Sequence, residues 1–215
     1  MSFSERLMRA VEPQWTAMLA HPFLRQTAAG TLPAGRFETW LRQDYLFVRE
    51  DLGFIGCLIA RAPVNLRRLL GEFIPALHGE MDLFESMAKE LGVSLEGIEP
   101  SPVCHAYNMF LLATAHTRSF AESFTVLYGA EKAYFDSWNQ VKQQQTQTSL
   151  YQRFIDHWSN DAFAAWVHQL AQELNTLAAA CGASELARME ELFRLTARYE
   201  YLFWDMALKG DQWPG

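Results

Sequence analysis

Apolar residues recur at intervals of three and four along the whole sequence, and runs of β-branched residues are scarce. A period near 3.6 gathers such residues into one stripe of a helix, whereas a half-buried strand needs strict alternation. The chain therefore reads as all-α. Its punctuation gives the elements. A first helix is expected from Ser2 to about Ala20, interrupted by Pro13, and Gly30-Thr31-Leu32-Pro33-Ala34-Gly35 reads as a turn. A long helix should run from about Arg36 to Arg61 and stop before Pro63. Gly53 and Gly56 either weaken its second half or mark close helix packing. Asn65 is a candidate cap for the next helix, which Pro75 should kink or split and Gly92 should end. Ser101-Pro102 is a start signal, a capping hydroxyl followed by proline at the first helical position. Further helices are expected over roughly 102–115, 119–140, 149–158, 162–180 and 184–208, with the glutamine-rich stretch 140–149 as a helix end and surface connection. About seven or eight helices with short connections make one globular α-bundle, a single domain over residues 1–215.

Charge and cysteine usage narrow the function classes. The net charge is −7, and no basic run exceeds Arg67-Arg68, so a nucleic-acid partner is not expected. No stretch approaches the roughly 18 apolar residues of a membrane span, and the N-terminal residues lack the apolar core of a signal peptide. Cys57, Cys104 and Cys181 are far apart and form no CxxC pair, which points to reduced thiols and a cytoplasmic setting. Cys57 and Cys104 lie in apolar stretches, where a thiol is ordinarily an inert core group.

A helical bundle builds a ligand site from side chains on facing helices, so acids inside apolar stretches stand out. Asp44, Glu131 and Glu200 are three such acids, followed at i+3 by Phe47, Tyr134 and Phe203. A carboxylate and an aromatic on one helical face suit a flat, nitrogen-rich ring, which the aromatic stacks on and the carboxylate hydrogen-bonds. The spacing alone is weak: composition predicts about three acid-aromatic pairs by chance, and six occur, counting Glu12-Trp15, Asp51-Phe54 and Glu190-Phe193. Metal ligands fare worse. His78, Glu80, Asp82 and Glu85 lie close in sequence, and Glu131, His157 and Asp161 add candidates, yet no Glu-x-x-His occurs, so these read as a solvated acidic face and no metal or cofactor is expected. There is no Gly-x-Ser-x-Gly and no phosphate-binding glycine loop.

Several phrases resemble the TenA family, also called thiaminase II. His21-Pro22-Phe23, Gly30-Thr31-Leu32-Pro33, Arg36-Phe37 and Gln43-Asp44 are similar to its N-terminal signature. Pro100-Ser101-Pro102 leading to Tyr107 resembles its middle segment, and Tyr199-Glu200-Tyr201-x-Phe203-Trp204-x-Met206-Ala207 its last helix. The resemblance implies a heme-oxygenase-like helical bundle without heme, a homotetramer, and a pocket for a 4-amino-2-methylpyrimidine carrying a leaving group. It implies that Asp44 binds the amino edge of the ring, that Tyr107 and Phe203 stack on it, that Glu200 is the catalytic acid/base and that Tyr134 hydrogen-bonds in the site. Phe47 and Trp158 stand where the family often has tyrosines, which keeps stacking area and removes two hydroxyls. Thiaminase-type members carry a nucleophilic cysteine at the position aligned with Ala130; the closest cysteines here are Cys104 and Cys181. The segment Tyr128-Gly129-Ala130-Glu131-Lys132-Ala133-Tyr134 resembles the cysteine-less branch, associated with salvage of aminopyrimidine breakdown products, and Glu131 is then the candidate general base. Two rivals share the fold: a non-catalytic pyrimidine-binding or regulatory protein, and an oxygenase of the PqqC-like branch.

Overall fold

The computed structural model describes residues 1–214 and contains ten helices and no strand among them. They are α1 (Phe3–Ala10), α2 (Glu12–Leu19), α3 (Pro22–Ala29), α4 (Ala34–Arg61), α5 (Val64–Leu91), α6 (Pro102–Thr117), α7 (Phe120–Gln144), α8 (Gln152–Trp158), α9 (Asp161–Ala179) and α10 (Ala183–Lys209). The first expected helix is split, because Pro13 cannot continue α1 but suits the first turn of α2. Helix α3 was not anticipated from sequence, although its signals are local. Pro22 occupies the first helical position, His21 Nδ1 accepts from the Phe23 amide, and Gly30 closes the helix with φ +67°. Asn65 does not cap α5, whose cap position is Pro63 without a side-chain bond. Pro75 does not split α5 either. Both Pro75 and Gly71, whose carbonyl loses its intrahelical donor, are exposed, so water can take the place of the missing N–H. Of the acids read as a solvated face, Asp82 and Glu85 are exposed, but Glu80 is buried.

The chain forms two compact units. The first comprises Met1–Pro33 and Phe124–Asp205, the second Ala34–Ser123 and the chain from Met206 onward. In the first unit α1 is held by a reciprocal cap, with Ser2 Oγ accepting from the Glu5 amide and Glu5 Oε2 accepting from the Ser2 amide. Helix α1 packs on α2 and α9. The core is aromatic: Phe193 stacks on Trp15 and on Tyr128, each at 5.8 Å. Gly129 lies against α10, where a Cβ would stand 2.9 Å from Thr196 Cγ2 and 3.3 Å from the Phe193 ring. No larger residue fits there unless α7 and α10 shift, so the glycine sets how closely these helices approach.

In the second unit α4 packs against α5 and α6, through Phe37, Trp40 and Phe84 on one side and Gly53 against Leu112 Cδ2 at 3.7 Å on the other. The loop before α6 is fastened by Gln43. Its Oε1 accepts from the Ser101 amide at 2.8 Å, and its Nε2 donates to Glu99 O at 3.0 Å. Ser101 Oγ in turn caps α6 by accepting from the Cys104 amide. The side chain next to Asp44 thus fixes where the helix bearing Tyr107 begins.

Candidate active site

In the first unit, Glu200 on α10 is 1% exposed, and Phe203 and Trp204 follow it as buried side chains. Trp204, one turn beyond Glu200 on the same face, stacks on Tyr134 of α7 with ring centroids 5.6 Å apart. Tyr134 meets Trp158 of α8 edge-on at 5.5 Å. Trp158 is sandwiched by Phe154 and Trp138, at 5.6 and 5.5 Å. This unit therefore joins Tyr134 and Trp158 directly, with Glu200 on the same helix as the tryptophan that covers Tyr134.

Glu131 does not simply face solvent. Its Oε2 accepts the indole N–H of Trp166 on α9 at 2.8 Å. Next to Glu131 on α7, Lys132 holds Asp136, with Nζ 2.6 Å from both carboxylate oxygens, and Trp15 Nε1 donates to Asp136 Oδ2. That network anchors the stretch of α7 carrying Glu131 and Tyr134.

Two residues near this aromatic cluster carry no signal in the sequence. Ser137 Oγ, one turn from Tyr134, and the indole N–H of Trp204 are both buried and have no hydrogen-bond partner in the protein. Leaving a buried donor unsatisfied costs about 1–3 kcal/mol. Only the packing of α7 and α10 could have pointed to them.

In the second unit Asp44 on α4 is fully buried. Phe47, at i+3, lies 4.8 Å from Tyr107 of α6, ring to ring. Cys104, one turn before Tyr107, gives its S–H to Gln43 O at 3.4 Å. Burial, and then the charge of Asp44, push this thiol well above its ordinary range, so it is no nucleophile. Asn108 completes the group, with a buried Oδ1 that has no partner in the protein. Asp44, Phe47 and Tyr107 are thus brought together in one unit and Glu131, Tyr134, Trp158, Glu200 and Phe203 lie in the other. Among the described residues no group of three or more His, Cys, Asp or Glu side chains is placed to hold a metal ion. No helix among them is long and apolar enough to cross a membrane.

Comparisons with known proteins bear on this arrangement. The profile of the TENA/THI-4/PQQC family matches residues 8–210. An aminopyrimidine aminohydrolase of Halalkalibacterium halodurans is 30% identical over 224 residues, covering 99% of this chain and 98% of the relative. The X-ray structure of a TenA homologue from Pyrococcus furiosus matches with a TM-score of 0.93 at 40% identity, over 95% of this chain and 99% of that one. A domain with a heme oxygenase-like fold from Shewanella denitrificans matches with a TM-score of 0.73 at 14% identity, over 95% and 91% of the two chains, a likeness of fold alone. The all-helical, heme-oxygenase-like fold and the family resemblance expected from sequence both hold, and the chain belongs to the TENA/THI-4/PQQC family.

Proposed function

We propose that this chain is a thiamin-pyrimidine salvage hydrolase that converts an aminomethyl- or formylaminomethyl-4-amino-2-methylpyrimidine to the hydroxymethyl-pyrimidine. The observation that carries this reading is a pair of acids held in the first unit. Glu200 is buried one turn before the tryptophan that stacks on Tyr134, and Glu131, on the helix of Tyr134, accepts an indole N–H. Two carboxyl groups can divide the work of hydrolysis, one donating a proton and the other accepting one. Whole-length similarity to a protein named aminopyrimidine aminohydrolase supports the substrate class.

Glu200, protonated, donates to a ring nitrogen and makes the pyrimidine an electron sink. Glu131 takes a proton from water as its oxygen bonds to the methylene carbon. The C–N bond breaks, and the amine leaves as ammonia or, from the formyl compound, as formamide, carrying the proton that Glu131 took from water, while the ring returns its proton to Glu200. Tyr134 hydrogen-bonds in the site, while Phe47, Tyr107, Trp158 and Phe203 supply ring faces. Asp44 accepts from the exocyclic amine. Carboxylates carry both proton transfers, so the reaction needs neither metal nor cofactor. With alanine at position 130, the covalent pyrimidine adduct of thiaminase-type members cannot form there, and splitting of thiamin itself is not part of the proposal.

The two acids are separable by kinetics. Glu131→Gln should lower kcat by at least about 10²-fold with KM little changed, because it removes a proton transfer and no ring contact. Asp44→Ala should instead raise KM by about 10–100-fold, the loss of a charged hydrogen bond worth about 1.5–3 kcal/mol. A Glu131→Gln protein with normal kcat returns the role of base to another group.

We propose further that the protein is cytoplasmic, its three cysteines being free thiols, and that it assembles as a homotetramer. Exposed Tyr201 and Leu202 line an apolar groove with Ala17 and Ala197, a surface suited to self-association. A light-scattering mass near the 24.6 kDa of one chain contradicts the tetramer.

A further inference from the structure

Cys57 is not the inert core thiol expected from its apolar surroundings. It is half-buried on α4, and its Sγ lies 3.4 Å from Nε2 of His116, an exposed residue in the last turn of α6. Arg61, one turn further along α4, hydrogen-bonds through its guanidinium to the carbonyls of Ala115 and Arg118, on either side of His116. The end of α6, which carries the imidazole, is thereby tied to the helix that carries the thiol.

The other two cysteines give their S–H groups to carbonyls. Cys104 is completely buried and gives its S–H to a carbonyl. Cys181 is half-buried like Cys57, but its S–H goes to Leu177 O, an acceptor that cannot take up the proton. A thiol reacts through its thiolate, and at Cys57 a base stands within hydrogen-bond reach at a half-buried position.

We infer that Cys57 and His116 form a thiol–imidazole pair that takes up low-molecular-weight disulfides, a modification site separate from the residues assigned to hydrolysis. The Cys57 proton passes to His116 Nε2, and the thiolate attacks one sulfur of the disulfide. A bond forms between Cys57 Sγ and that sulfur while the reagent's S–S bond breaks. The departing thiolate leaves as a thiol, carrying the proton from His116. Cys57 is oxidised to the mixed disulfide, and half of the reagent is reduced.

The test uses the reduced, full-length protein and oxidised glutathione, with acid quenching and peptide mass mapping over time. Cys57 should acquire glutathione at least about tenfold faster than Cys181, with Cys104 unmodified. His116→Asn, which keeps a polar side chain but removes the base, should slow Cys57 by about tenfold and leave Cys181 unchanged. Equal rates at Cys57 and Cys181, or a Cys57 rate untouched by His116→Asn, overturns the inference. If Cys104 becomes reactive in the variant, the fold has opened, and the wild-type ratio of Cys57 to Cys181 then decides alone.

Discussion

Glu200→Gln is expected to lower turnover by at least about 10²-fold, a loss of about 2.7 kcal/mol of transition-state stabilisation or more. The substitution keeps the shape of a side chain that is 1% exposed, so α10 and its contacts through Trp204 should survive. What disappears is the transferable proton. A glutamine can still hydrogen-bond a ring nitrogen through its amide N–H, so KM should change much less than kcat. Steady-state kinetics on the aminomethyl-pyrimidine, with circular dichroism to confirm the fold, make the comparison. Full activity in Glu200→Gln removes the mechanism, because no other buried acid of the first unit follows the same face of α10.

Asp51 should give the protein an unusual pH dependence of stability. This carboxyl is buried on α4, and burial, followed by the nearby charge of Glu80 on α5, pushes its pKa from 3.8 up to about 8. Below pH 3.8 both the folded and unfolded states hold the proton. Between there and about pH 8 only the folded state does, so stability falls as pH rises, by up to about 1.4 kcal/mol per pH unit. The contribution is thus greatest in acid and gone once pH passes through 8. Asp51→Asn, neutral at every pH, should flatten the slope and be more stable than the wild type at pH 8.5. Urea midpoints for both proteins from pH 5 to 8.5 measure this. A wild-type curve parallel to that of Asp51→Asn shows that Asp51 is charged in the folded state.

These two acids show what a sequence reading can and cannot reach. Asp51 was seen in the sequence only as one of six acid-aromatic pairs, and Glu80 as part of a solvated acidic face. Their burial depends on how α4 and α5 face each other, which no local pattern encodes. Helix boundaries were legible where the signal is local, as in the Ser101-Pro102 start and the Gly92 stop, both realised in the structure. They were misread where a stronger neighbour intervened. Pro63 takes the cap position expected of Asn65, and α5 runs through Pro75 because the lost bond lies where water can replace it.

For the candidate site, the i, i+3 spacing found the acids and aromatics but not what holds them. The Trp166 N–H on Glu131, the Gln43 clamp on the start of α6, and the approach of Gly129 to Phe193 all join residues more than 30 positions apart. The same limit hid the pairing of Cys57 with His116, 59 positions away.

The central claim is hydrolysis of a carbon–nitrogen bond on a pyrimidine methylene. The most direct measurement is to incubate the protein with aminomethyl-4-amino-2-methylpyrimidine in ¹⁸O-labelled water and follow products by mass spectrometry. The account predicts hydroxymethyl-pyrimidine carrying one ¹⁸O and an equal amount of ammonia. Binding of the pyrimidine with no ammonia released, or product whose oxygen comes from O₂, would contradict it.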